Sequence, residues 1–132
     1  MSAKPYIDLI NISSKSGFME RIEYYRSVIK RVLGEHLEAT PEDTQIETLS
    51  IQDDASDNYL IVEIGWQAPR RLYNVVFHIR LKDNKIWIEQ DWTEEGIARD
   101  LLQAGIPAEA IELGFQPPAM RPHIEWPTVI AN

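Results

Sequence analysis

The 132 residues, 44% apolar and 26% charged, suit a single soluble domain with a core of its own. Thirteen Lys and Arg against 21 Asp and Glu leave a net charge of −8, which disfavours a broad phosphate-binding or anionic-lipid surface. With no cysteine there is no disulfide, thiolate metal site or cysteine nucleophile. No apolar run approaches the roughly 20 residues of a membrane span, and MSAKPYIDLINISSKSG lacks a secretory pattern, so a cytoplasmic location is expected.

From about Phe18 to Leu37 apolar residues recur in steps of three and four, at Ile22, Tyr25, Ile29, Val32 or Leu33, and His36 or Leu37. That spacing predicts a helix, with Ser14 or Ser16 as its cap and Thr40-Pro41 as its stop. Arg26 and Lys30 on it are flanked by Glu20, Glu23, Glu35 and Glu38, a mixed solvated face. Four strands are expected next, at 45–52, 59–66, 72–81 and 85–90, all rich in β-branched and aromatic residues. Their connections are too short for a parallel crossover, so they form an antiparallel meander.

Asp83-Asn84 reads as a two-residue hairpin loop that pairs Leu81 with Ile86 and Ile79 with Ile88. Phe77, Val75 and Tyr73 would share that face, matched by Leu60, Val62, Ile64 and Trp66 on the second strand. A shift of one residue would turn Glu63 inward. The opposite face would carry Tyr59, Ile61, Glu63, Val76, His78, Arg80, Trp87 and Glu89, with Arg80 across from Trp87 and His78 across from Glu89. Such a surface suits either solvent or a protein partner, because Trp, Tyr and Arg are enriched at interfaces.

Ile97, Ala98, Leu101 and Leu102 mark a second helix, ended by Ala104-Gly105-Ile106-Pro107 with Gly105 as the left-handed cap. Pro107 opens a short helical turn through AEAI. The tail from Gly114 holds Pro117, Pro118, Pro122 and Pro127 and reads as an extended strap. The expected fold is therefore α+β, a four-stranded antiparallel meander with an N-terminal helix, a second helix after strand 4, and a Pro-rich C-terminal strap.

Asp91, Glu94, Glu95 and Asp100 crowd the start of the second helix. Asp91 followed three residues later by Glu94 matches a capping box with Asp in place of Ser or Thr, worth about 1 kcal/mol. Acids there also meet the positive end of the helix dipole. A catalytic pair would need two carboxyls converging on one pocket; Asp91, Glu95 and His78 are the candidates for such a hydrolase. His36, His78 and His123 lie on three separate elements without ligand spacing, and no nucleophile elbow, phosphate loop or dinucleotide fingerprint is present. No metal, cofactor or catalysis is expected.

In ordered blocks the chain resembles the XisI family, the fdxN-element excision controlling factors of cyanobacteria. The matching stretches are MERIEYYRSVIKRVL (19–33), YLIVEIGW (59–66), RRLYNVVFHIRLKDNKIWIEQDWTEEGIARDLLQAGIP (70–107) and IELGFQPPAMR (111–121). The order of R-R-x-Y, H-I-x-x-K-D-x-K-I-W-I, D-x-T-E-x-G-I-A and A-G-I-P carries it. Family members commonly begin near Met19, so residues 1–18 are read as an extension before a single domain at 19–132. Position 92 is Trp where a small residue such as Gly is expected.

The resemblance implies an accessory factor of programmed DNA rearrangement, acting with a site-specific recombinase and a XisH-like companion protein, and brings no catalytic residues. The expected mode is protein binding, through Tyr59, Arg70, Arg71, Tyr73, His78, Arg80, Trp87 and Glu89. Asp91, Thr93, Glu94 and Gly105 serve as structural caps. The rivals are direct DNA binding through Arg70 and Arg71, the small hydrolase, and homodimer formation through the sheet face.

Overall fold

The structure is a computed structural model and describes residues 14–126. Helix α1 (Ser14–Ala39) leads into strands β1 (Ile46–Asp53), β2 (Asn58–Gln67), β3 (Arg70–Lys82) and β4 (Lys85–Asp91), then helix α2 (Ile97–Gln103), and strand β5 (Ile111–Leu113). The side chains of Ser14 and Ser16, expected to cap α1, lie outside the described residues, as do residues 1–13 of the expected extension and Pro127 of the strap.

The sheet has the order β1-β2-β3-β4-β5. Neighbours β1 to β4 are antiparallel, but β5 runs parallel to β4, with Ile86 opposite Ile111 and Ile88 opposite Leu113. The expected four-stranded antiparallel sheet is thus corrected to a five-stranded mixed one. Three residues are too few to show a period, while α2 supplies the long connection that a parallel neighbour needs. The strap is corrected too, since a 3-10 turn at Pro118–His123 interrupts its extended course.

One face of the sheet packs on α1. Tyr25, Val28, Ile29, Val32 and Leu33 meet Tyr59, Ile61, Phe77, Ile79, Ile86 and Ile88, with Ile97 and Leu101 of α2 closing one side. His36 meets Phe77 edge-on with ring centroids 5.3 Å apart. The Asp83-Asn84 turn has φ of 53° and 64°, as a two-residue hairpin requires, and pairs Leu81 with Ile86 and Ile79 with Ile88.

The face assignment of β2 is reversed from expectation. Tyr59 opposes Ile79 and Ile61 opposes Phe77, so these two residues face α1 and are fully buried. Leu60, Val62, Ile64 and Trp66 point to the far face. The first of two bulges causes the difference. Pairing shifts after Ile61, where Val76 is the extra residue on β3, and after His78, where Glu89 is the extra residue on β4. Val75 and Tyr73 consequently change sides. Glu63 does face the α1 side, yet it avoids burial because it lies in an open cleft with His36 and Asn74. Gly65 permits a close crossing, since a Cβ there would stand 2.1 Å from the Gln45 carbonyl oxygen.

Candidate interaction surface

The acidic turn after β4 is built around one carboxylate. Asp91 Oδ1 accepts from the Thr93 N–H at 2.9 Å and from the Thr93 hydroxyl at 2.5 Å. Its Oδ2 accepts from the Ile97 N–H at 2.7 Å, the first amide of α2. The Thr93 hydroxyl oxygen in turn accepts from the Gly96 N–H. Asp91 therefore tethers the helix start from six residues upstream, and Gly96 holds the position next to α2.

The expected capping box does not form. Glu94 and Glu95 precede the helix, where Glu94 is exposed and Glu95 pairs with Arg99. Partial burial raises the Asp100 carboxyl above the usual carboxylate range, with Glu35 adding to the effect. Gly105 follows α2 at φ 94°, a conformation that costs glycine little, and the Ile106 N–H closes back on the Leu101 carbonyl.

Asp91, Glu95 and His78 do not converge. Asp91 opposes Phe77 on the α1 side, while His78 points to the far face and lies 2.8 Å from Asn58 Oδ1. His78 opposes Gln90 and not Glu89, a consequence of the β4 bulge. Burial lowers its imidazole pKa, and Glu89 partly offsets that. Among the described residues, no three His, Asp or Glu side chains gather to hold a metal ion.

The residues expected to bind a partner separate into three groups. Tyr59 is corrected outright, because it is buried under α1. Its hydroxyl lies 2.9 Å from both Asp54 Oδ1 and Asp57 Oδ1, and Asp57 also takes two bonds from the Arg26 guanidinium. Lys30 reaches Asp54 at 2.8 Å, so the network pins the β1–β2 turn to α1. Burial, then these two carboxylates, push the Tyr59 phenol above its ordinary pKa.

The second group is engaged within the chain. Arg80 opposes Trp87 as expected but bonds to Glu89 at 3.2 Å. Trp87 donates its indole N–H to the Lys82 carbonyl, and its ring lies 5.3 Å from the Lys82 ammonium and 5.2 Å from the Arg121 guanidinium. Arg121 arrives from the 3-10 turn of the tail, so the tail covers the β4 side of the far face. Sequence reasoning did not single out Arg121; only tertiary contact brings it there.

The third group stays open. Arg70, Arg71 and Tyr73 begin β3, across the hairpin from Trp66. Tyr73 is 72% exposed and Trp66 52%, with the Arg71 guanidinium 5.5 Å from the indole centroid. Trp92, 76% exposed, leaves β4 at the same end of the sheet, its N–H bonded to the Val76 carbonyl. Trp66, Arg71 and Tyr73 thus share the far face at the β2–β3 hairpin, whereas Trp92 lines the α1-side cleft with His36 and Glu63. Trp66 was expected in the core row, and its exposure was hidden by the bulge.

Residues 19–128 match the family model described as XisI protein. A crystal structure of a XisI-like protein from Anabaena variabilis ATCC 29413 is 31% identical, with a TM-score of 0.74 over 80% of this chain and 97% of that one. A second, the fdxN element excision controlling factor XisI from Anabaena variabilis ATCC 29413, is also 31% identical, with a TM-score of 0.67 over 79% of this chain and 95% of that one. No curated protein matches the chain.

Proposed function

The chain belongs to the XisI family, and from that membership we propose an excision controlling factor that works by binding protein, without catalysis of its own. The partner is a XisH-like protein, within a site-specific recombination system that rearranges DNA. The observation that carries the reading is the open end of the β2–β3 hairpin. Trp66, Arg71 and Tyr73 there are residue types that dominate binding energy when desolvated in an interface, and the described residues leave them largely uncovered. Arg70 adds a second cation to the same end.

Co-purification with a XisH-like protein tests the proposal. Tyr73→Ala and Arg70→Glu are expected to reduce capture at least about tenfold, equivalent to about 1.4 kcal/mol. Trp87→Ala and Arg80→Glu should retain capture, because those side chains already serve contacts within the chain. Full capture by the Tyr73 and Arg70 variants would overturn this placement.

Arg70 and Arg71 also support a second reading, direct contact with DNA phosphates. It requires affinity that falls steeply with salt, and a low-salt gel shift without a complex disposes of it.

A further inference from the structure

We propose that the far face of β1, β2 and β3 is the docking surface for a second copy of this chain, making the protein a face-to-face homodimer. The face carries Leu49, Ile51, Leu60, Val62, Ile64 and Val75 by the observed register. Ile51 is 45% exposed beside Leu60, and Leu49, Leu60, Ile64 and Val75 are half-buried around Val62, which is buried. A continuous apolar sheet surface of this kind marks an interaction site when nothing else covers it.

Its dimensions suit a copy of itself. β2 has 10 residues; at a rise of about 3.3 Å and a strand spacing of about 4.8 Å, the open area is roughly 33 Å by 14 Å. Two such faces together would bury on the order of 1,000 Å², at the lower limit of specific interfaces. Among the described residues, the tail turn bearing Arg121 covers the sheet beyond β3 and leaves three strands open. A matching partner is likewise three strands wide.

Charge selects the orientation. On this face the β1 margin is acidic, with Glu47 beside Ile64 and Asp53 beside Asn58. The β3 margin is basic, with Arg71 beside Trp66 and Arg80 beside Asn58. A two-fold axis parallel to the strands lays β1 of each copy over β3 of the other, so that each acidic margin meets a basic one. The alternative two-fold, perpendicular to the strands, sets like charges together. Arg80 already holds Glu89, which leaves Glu47 and Arg71 as the deciding pair. With a net charge of −8 opposing association in general, this complementarity also steers the encounter. Sheets stacked this way lie about 10 Å apart with strands within about 30°.

The far face also carries Trp66, Arg71 and Tyr73 of the proposed partner surface, so a second copy and a protein partner compete for β3. Glu47 and Ile51 lie on β1 and probe the dimer separately. Sedimentation equilibrium of the full chain over a wide concentration range is the test. The wild type is expected to reach twice the 15.2 kDa chain mass. Ile51→Asp and Glu47→Arg should each weaken association at least about tenfold, while Glu47→Arg combined with Arg71→Glu should return it to within about threefold of wild type. Circular dichroism confirms that each variant folds.

A wild type that stays monomeric up to about 1 mM overturns the proposal, and the face then belongs to the chain's own termini or to a different protein. A dimer indifferent to both single substitutions, or one that the double charge reversal fails to restore, overturns it equally. Capture of a XisH-like protein by the Ile51→Asp variant, measured separately, shows whether the partner reading stands alone.

Discussion

The two faces of this sheet have similar apolar content but different fates. On the α1 side, Tyr59, Ile61, Phe77, Ile79, Ile86 and Ile88 are fully buried. On the far side, Val62 is buried, Leu60, Ile64 and Val75 are only half-buried, and Ile51, Trp66 and Tyr73 remain exposed. Hydrophobicity does not separate them; what differs is the neighbour. Helix α1 covers one side, whereas the described part of the tail reaches the β4 side of the other. Apolar content on both faces of a strand therefore indicates that both are to be covered, without saying by what.

The largest test of that contrast is Phe77→Ala, on the covered side. It removes a fully buried ring that His36 meets edge-on and should cost about 3–5 kcal/mol, read by urea unfolding. A loss near 1 kcal/mol would mean that the helix side is no better packed than the open one.

Asp91→Ala comes next. It leaves the Ile97 and Thr93 amides without their carboxylate, at a cost of about 2 kcal/mol, in the same unfolding measurement. An unchanged midpoint would show that the turn after β4 stands without its tether.

Tyr59→Phe is smaller, about 1 kcal/mol at neutral pH, since Asp54 and Asp57 lose one shared donor. It carries a pH signature as well. The folded phenol has a raised pKa, from burial first and from the two carboxylates next. The fold thus holds the proton more tightly than the unfolded chain, and its contribution is complete below the unfolded value of about 10. It is lost as pH climbs above 10 toward the folded value. Thermal melts between pH 9 and 11 should show a shallower alkaline decline for the Phe variant (a window set about the ordinary tyrosine value).

The smallest effect belongs to the open end. Tyr73→Ala should change stability by less than about 0.5 kcal/mol, because its ring is 72% exposed. A larger loss would mean that Tyr73 supports the fold, and its place in a binding surface would fall.

Much of the architecture was legible because it rests on local rules. The period of Ile22, Tyr25, Ile29 and Leu33 defined α1, the Asp83-Asn84 turn set the β3–β4 register, and Gly105 marked the end of α2. The candidate surface was only partly legible. Arg70, Arg71 and Tyr73 were singled out and are open; Trp66 and Tyr59 were placed on the wrong faces. YLIVEIGW is apolar on both alternations, so Glu63 alone steered the assignment, and an open cleft lets Glu63 face the helix side without being buried.

Sequence by itself determined the elements, their order through β4, the α+β class and the family, because periodicity, turn chemistry and ordered motifs are written along the chain. Tertiary structure alone decided the parallel β5, the bulges at Val76 and Glu89, and the seating of Arg121 over Trp87. Those depend on which distant backbones come to lie side by side. A bulge reverses every later side chain while leaving almost no mark on local composition, so the face left open could be recognised only once the strands were paired.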